Sequence, residues 1–109
     1  MFTKMIYVCS PLGGDIERNI NKALGYCRFV YSKGVVPLAP HSIFTQFLDD
    51  NIQEERVAGT QMGLRLLRRC DEVWVFGDTI SEGMAAEIKL AQQMGFKILY
   101  FNERCEAYD

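Results

Sequence analysis

Residues 72–87, EVWVFGDTISEGMAAE, read as a buried strand that meets a glycine turn and passes into a helix. Glu72–Phe76 is apolar almost throughout, as suits a strand covered on both faces. Gly77-Asp78-Thr79 ends the run, and Ser81 is among the residues preferred as a helix N-cap. Beyond it Met84, Ile88, Ala91 and Gly95 mark helical spacing, with Lys89, Gln92 and Gln93 on the wet side. A strand, a glycine-bearing turn and an amphipathic helix make half of a β-α-β unit.

The same punctuation repeats outward from this stretch. Met5–Cys9 (MIYVC) is bounded by Ser10-Pro11, Val35–Ala39 (VVPLA) lies between Gly34 and Pro40, and Lys97–Phe101 (KILYF) follows Gly95. Ile16, Ile20, Ala23, Cys27 and Val30 form one helical stripe, closed by Gly34, which predicts a helix over Ile16–Lys33. Met62, Leu66, Leu67 and Cys70 form a second, and the third helix is expected over Gly83–Met94. Strands alternating with helices argue for parallel units with right-handed crossovers. The expected fold is therefore α/β, a three-layer flavodoxin-like or Rossmann-like arrangement with a four-stranded parallel sheet in the order 2-1-3-4. In such a sheet the ligand crevice opens where the strand order reverses, here between the ends of strands 1 and 3.

The chain has 109 residues, which predicts a single domain over residues 1–109. Its 12 Lys and Arg against 14 Asp and Glu leave a formal charge of −2, and no basic block extends beyond Arg65, Arg68 and Arg69. A nucleic-acid footprint is excluded on that ground. The cysteines Cys9, Cys27, Cys70 and Cys105 are widely spaced without a C-x-x-C pair, so neither a disulfide framework nor zinc has support. Cys9, Cys27 and Cys70 sit inside apolar patterns, where free cysteine acts as a small hydrophobe. No cofactor and no metal is expected. The N-terminus carries no basic head followed by an apolar run, and no stretch approaches the ~20 apolar residues of a membrane span. The reading is a cytoplasmic protein without a membrane partner.

Two loops converge on the expected crevice. Ser10-Pro11-Leu12-Gly13-Gly14-Asp15 follows strand 1, and Gly77-Asp78-Thr79-Ile80-Ser81-Glu82-Gly83 follows strand 3. Each offers a hydroxyl, glycine backbone and a helix N-terminus, a combination that favours an anion such as phosphate. The alternative for each alone is an ordinary cap and turn. Glu87 is the most informative residue, because its i−3 and i+4 neighbours are Met84 and Ala91. That spacing turns its carboxylate toward the sheet, and ionised carboxylates are seldom buried without a purpose or a partner. The alternative is a solvated glutamate in the first turns of a helix, stabilised by the macrodipole, as Glu82 is. His41, the one histidine, directly follows strand 2 and is either a substrate contact or a loop residue packed on proline. Asp78 is either an acceptor for a ribose hydroxyl or ordinary turn chemistry. Trp74, central to a buried strand, is assigned to the core.

Tyr7–Ser10 followed by Gly13-Gly14, joined to Ser81-x-Gly83-x-x-x-Glu87, resembles the nucleoside 2-deoxyribosyltransferase-like superfamily, which includes 2'-deoxynucleoside 5'-monophosphate N-glycosidases. The phrases CSPLGGDIERNI, PLAPHSIFTQFLDD and CDEVWVFGD look like a small bacterial and phage branch of it, known as a domain of unknown function. The resemblance covers roughly residues 5–101. It implies cleavage or exchange at the N-glycosidic bond of a (deoxy)nucleoside or its 5'-monophosphate, with Glu87 as the nucleophile and Tyr7 beside it. It also implies 5'-phosphate contacts from Ser10, Gly13, Gly14, Ser81 and Gly83. Two positions depart from the family pattern. The aspartate that serves the leaving base falls near Gly63, and the phosphate-loop arginine of the monophosphate hydrolases falls on Leu12. Asp78 and His41 are the replacements at hand for the acid. A crevice that kept its ligand and lost the chemistry would make a nucleotide-binding or sensing module instead.

Pro40–Asn51 (PHSIFTQFLDDN) is long for a strand-to-helix connection, and long loops are more often functional than not. It is expected to form a short helix serving as a lid or a subunit contact. Ile43, Phe44, Phe47 and Leu48 would make a sticky patch on a monomer. The polar tail Asn102–Asp109 has no evident core role, and the family resemblance implies that a neighbouring subunit completes the pocket. A homodimer or higher symmetric oligomer is expected.

Overall fold

The strands form where apolar residues alternate between two helical layers. The computed structural model describes residues 2–108. In chain order the elements are β1 (Met5–Cys9), α1 (Ile16–Ser32), β2 (Val36–Leu38), α2 (Pro40–Phe44), α3 (Gln53–Leu67), β3 (Glu72–Phe76), α4 (Glu82–Gln93) and β4 (Lys97–Phe101). The sheet order is β2-β1-β3-β4, and all three pairings are parallel. The expected topology and fold class are those observed.

Successive side chains of a strand point to opposite faces, and the sheet uses both. Ile6, Val8, Trp74, Phe76 and Phe101 pack under Ala23, Tyr26 and Val30 of α1. Tyr26 stacks on Phe76 with ring centroids 4.5 Å apart. On the other face Tyr7, Cys9, Val73 and Val75 meet Leu67 of α3 and Met84 and Ala91 of α4. Burial of each large apolar side chain contributes about 1.5–3 kcal/mol, so β1 and β3, covered on both sides, anchor the molecule. Trp74 belongs to the α1-side core, and its indole N–H donates to Glu72 Oε1 at 3.1 Å. The four cysteines are all free thiols.

The differences from the sequence reading are local. The first helix ends at Ser32 rather than Lys33: the Lys33 N–H bonds back to the Val30 carbonyl and the Gly34 N–H to the Tyr31 carbonyl, both at 2.9 Å. The last helix spans Glu82–Gln93 rather than Gly83–Met94, because Ser81 occupies the N-cap and Met94 the C-cap. The second strand keeps only Val36–Leu38 of the expected Val35–Ala39. It holds Pro37, which has no N–H to give and is tolerated at the sheet edge. The segment after β2 does form a short helix, α2, with Pro40 at its start. The tail also has a place in the fold: Ala107 makes an antiparallel bridge with Phe101, and Tyr108 N–H donates to the Tyr100 carbonyl at 3.0 Å. Asp109 lies outside the described residues. No helix of the described chain is long and apolar enough to cross a membrane.

Candidate active site

Strand parity puts Tyr7 and Cys9 on one face of β1, and Ser10 at the point where the chain leaves the sheet. Opposite them, Ser81 caps α4 by accepting the Met84 N–H at 3.3 Å. With the helix started there, Met84 and Ala91 turn inward, and Glu87, between them in phase, faces β1. The Tyr7 hydroxyl donates to Glu87 Oε2. The Cys9 thiol lies 3.3 Å from Glu87 Oε1 and donates to it. Both donors are inaccessible to solvent, Tyr7 at 1% exposure and Cys9 at 0%. Each oxygen of the carboxylate is therefore held by its own donor on β1.

Burial pushes the Glu87 carboxyl above the ordinary glutamate range, while the Tyr7 and Cys9 hydrogen bonds pull it back. Burial first, and then the neighbouring Glu87 charge, raises the Tyr7 phenol and the Cys9 thiol well above their usual values. Tyr7 and Cys9 thus keep their protons at neutral pH and remain donors.

Tyr7 and Glu87 border a cleft of about 770 Å³, together with Ser10, Leu12 and Gly13 after β1 and Ser81, Gly83 and Met84 at the head of α4. That volume lies within the range of roughly 300–1,000 Å³ that holds small-molecule ligands. α2 contributes His41 and Phe44 to the far wall, and α3 contributes Arg56, Gly59, Thr60 and Gly63. Among the described residues, Ser10 Oγ and His41 Nε2 are buried polar side-chain atoms without a hydrogen-bond partner, and both residues line this cleft. An unmet buried polar group costs about 1–3 kcal/mol. A ligand with suitably placed oxygens or nitrogens would relieve both. Burial holds the His41 imidazole below its ordinary pKa, partly offset by the charge of Asp50, so the ring is neutral at pH 7.

The cleft does not gather every residue singled out from the sequence. Asp78 is not on its wall; its carboxylate accepts a hydrogen bond from the tail residue Tyr108. Gly14 also stands off the wall and serves the turn, with φ +89°, a conformation that favours glycine. Gly63, the position matched to the missing aspartate, lies at the site itself: a Cβ there would sit 3.3 Å from the Tyr7 hydroxyl. Two contributions went unread in the sequence. One is Cys9, whose signal was its period-two spacing from Tyr7 on the same strand. The other is the α3 wall, including Arg56, which no motif marked.

The family model described as Domain of unknown function (DUF7768) matches residues 4–101. The chain belongs to this family. No curated protein matches the sequence. Among solved structures, the DUF7768 chain is similar to a 2-deoxyribosyltransferase of the psychrotolerant bacterium Bacillus psychrosaccharolyticus, at 17% identity and a TM-score of 0.72, over 96% of this chain and 77% of that one. It is also similar to a 2-desoxiribosyltransferase from Leishmania mexicana, at 22% identity and a TM-score of 0.62, over 91% of this chain and 64% of that one. The DUF7768 chain therefore has the nucleoside 2-deoxyribosyltransferase-like fold that its strand-to-helix turns resemble in sequence. It spans less than two-thirds of the length of the Leishmania protein.

Proposed function

We propose that residues 1–109 act as one deoxyribosyltransferase-like unit that breaks or exchanges the N-glycosidic bond of a (deoxy)nucleoside or its 5'-monophosphate, with Glu87 as nucleophile. The observation that carries this reading is the buried Glu87 carboxylate, held at both oxygens on the wall of a cleft of ligand size. In the first step a Glu87 oxygen forms a bond to C1' of the sugar. The C1'–N bond breaks, its electron pair leaves with the base, and the base takes up a proton. Water, or a second base, then attacks C1' and releases the carboxylate. A carboxylate suits this work because it stabilises oxocarbenium character and is a competent covalent nucleophile.

His41 is the proposed contact for the leaving base, since its Nε2 is buried at the cleft without a partner. Asp78, bonded to Tyr108, is left out of the proposed machinery. Ser10, Gly13, Ser81 and Gly83 are the proposed contacts for the 5' end of the ligand. Four carboxylates, Asp50, Glu55, Glu82 and Glu87, border the cleft against Arg56 as the one Lys or Arg among the described lining residues. That balance favours an uncharged nucleoside over its monophosphate dianion.

Incubation with a panel of nucleosides and monophosphates, followed by chromatography for free base, tests the proposal. Release that disappears in Glu87→Gln supports it. A second reading, a nucleotide-binding or sensing module, is favoured by one observation: position 63 offers no side chain to serve the leaving base. Tight binding of a panel member, by calorimetry, with no base released would select that reading.

A further inference from the structure

We infer that Cys9 is a positioning residue that orients the Glu87 carboxylate and keeps its charged form accessible. The inference concerns a residue to which the proposed function gives no part, and it rests on that function only for its catalytic meaning. Its geometry is independent of the reaction. Cys9 ends β1 with its thiol sealed from solvent, and among the described residues the hydrogen-bond acceptors at its sulfur are Glu87 Oε1 at 3.3 Å and the Met84 carbonyl at 3.9 Å. The shorter approach is to the carboxylate. Tyr7, two residues earlier on the same face, holds the opposite oxygen. With one donor, a carboxylate on a flexible glutamate stem rotates about its last torsion, which is broad. With a donor at each oxygen that rotation is stopped.

The division of labour follows from the chemistry of the donors. A phenol O–H is a full-strength donor, and a thiol S–H is a weak one. The weak bond fixes direction while withdrawing little electron density from the oxygen it holds. It also offsets part of the desolvation that Glu87 suffers, because hydrogen bonds to the ionised form favour that form. The remaining titratable or charged groups around the cleft are His41, Asp50, Glu55, Arg56 and Glu82, and none of them hydrogen-bonds Glu87. Ser10, the neighbour of Cys9, carries one of the two unpartnered polar atoms at the cleft, so the strand end that holds the carboxylate also faces the ligand space.

The test reads Glu87 directly and needs no turnover. The protein is labelled with carbon-13 at glutamate side-chain carboxyls, and the Glu87 resonance is identified by its loss in Glu87→Gln. The resonance is then followed by NMR titration in the wild type, Cys9→Ala, Cys9→Val and Cys9→Ser. Removing the donor should move the Glu87 midpoint upward by on the order of 0.5–1 pH unit in both apolar variants. Cys9→Ser, which restores a donor, should return it to the wild-type value or below. Cys9→Val fills the site that alanine would leave empty and suits a strand, at the cost of one extra heavy atom, so the experiment stands even if the alanine variant fails to fold. An unchanged midpoint in Cys9→Val, or a serine variant that behaves like valine, would overturn the inference. A purely packing role for Cys9 would lower thermal stability and leave the midpoint in place. If the midpoint shifts as expected while no nucleoside releases base, the clamp stands and the proposed reaction falls.

Discussion

Ionising Glu87 in the folded chain costs more than ionising a glutamate in water, because burial outweighs the two hydrogen bonds it receives. A folded pKa above the unfolded value of about 4.3 has a defined sign. The stability attached to the protonated carboxyl is fully present below about pH 4.3 and is lost as pH rises through the folded value. Glu87→Gln, which cannot ionise, should therefore melt at or above the wild-type temperature near neutrality. Its advantage over wild type should grow as pH rises above about 4.3 and level off once pH has passed the folded value. Thermal melts across that range check this, and an advantage that shrinks with rising pH would contradict the buried-carboxylate account. The nucleophile must be ionised, so base release should fall on the acid side through that same raised pKa. Glu87 was legible in the sequence because helical phase, counted from Met84 and Ala91, sets the direction of a side chain. Cys9 was not. A cysteine in an apolar strand reads as a small hydrophobe, and its partner lies 78 positions away.

At the scale of elements, α4 and α3 bring the site together. The Ser81 hydroxyl starts α4, so Ser81→Ala should lower stability by about 1 kcal/mol and weaken any bound monophosphate more than the parent nucleoside. Denaturant unfolding and calorimetry read the two effects separately. On α3, Gly63→Ala gains helix propensity of up to about 1 kcal/mol, but its Cβ presses on the Tyr7 hydroxyl. Stability should change little, while base release should drop because Tyr7 is displaced from Glu87. Equal loss of both would instead make Gly63 a packing residue alone. The strands and helices α1 and α4 were readable from periodicity, with ends shifted by a residue where a cap decided them. The α3 wall was not readable, since the helix carries only a weak apolar stripe and its cleft residues Gly59, Thr60 and Gly63 have no motif.

For the whole molecule, the open question is what covers α2 and the start of α3. Ile43, Phe47, Ile52 and Val57 expose 49%, 64%, 47% and 46% of their surfaces, and exposed apolar residues gathered on neighbouring elements are a mark of interaction sites. A symmetric oligomer built on this lid region is the proposed arrangement, and sedimentation at micromolar concentration should show at least twice the 12.5 kDa chain mass. A species of 12.5 kDa alone would make the lid an intrachain feature. The central claim concerns a bond rather than an assembly. Its most direct measurement is peptide mass analysis of protein quenched in acid during reaction with whichever nucleoside or monophosphate releases base. The account predicts a glycosyl adduct on the peptide containing Glu87, absent in Glu87→Gln. Base release that proceeds undiminished in Glu87→Gln, or an adduct on any other residue, would contradict it.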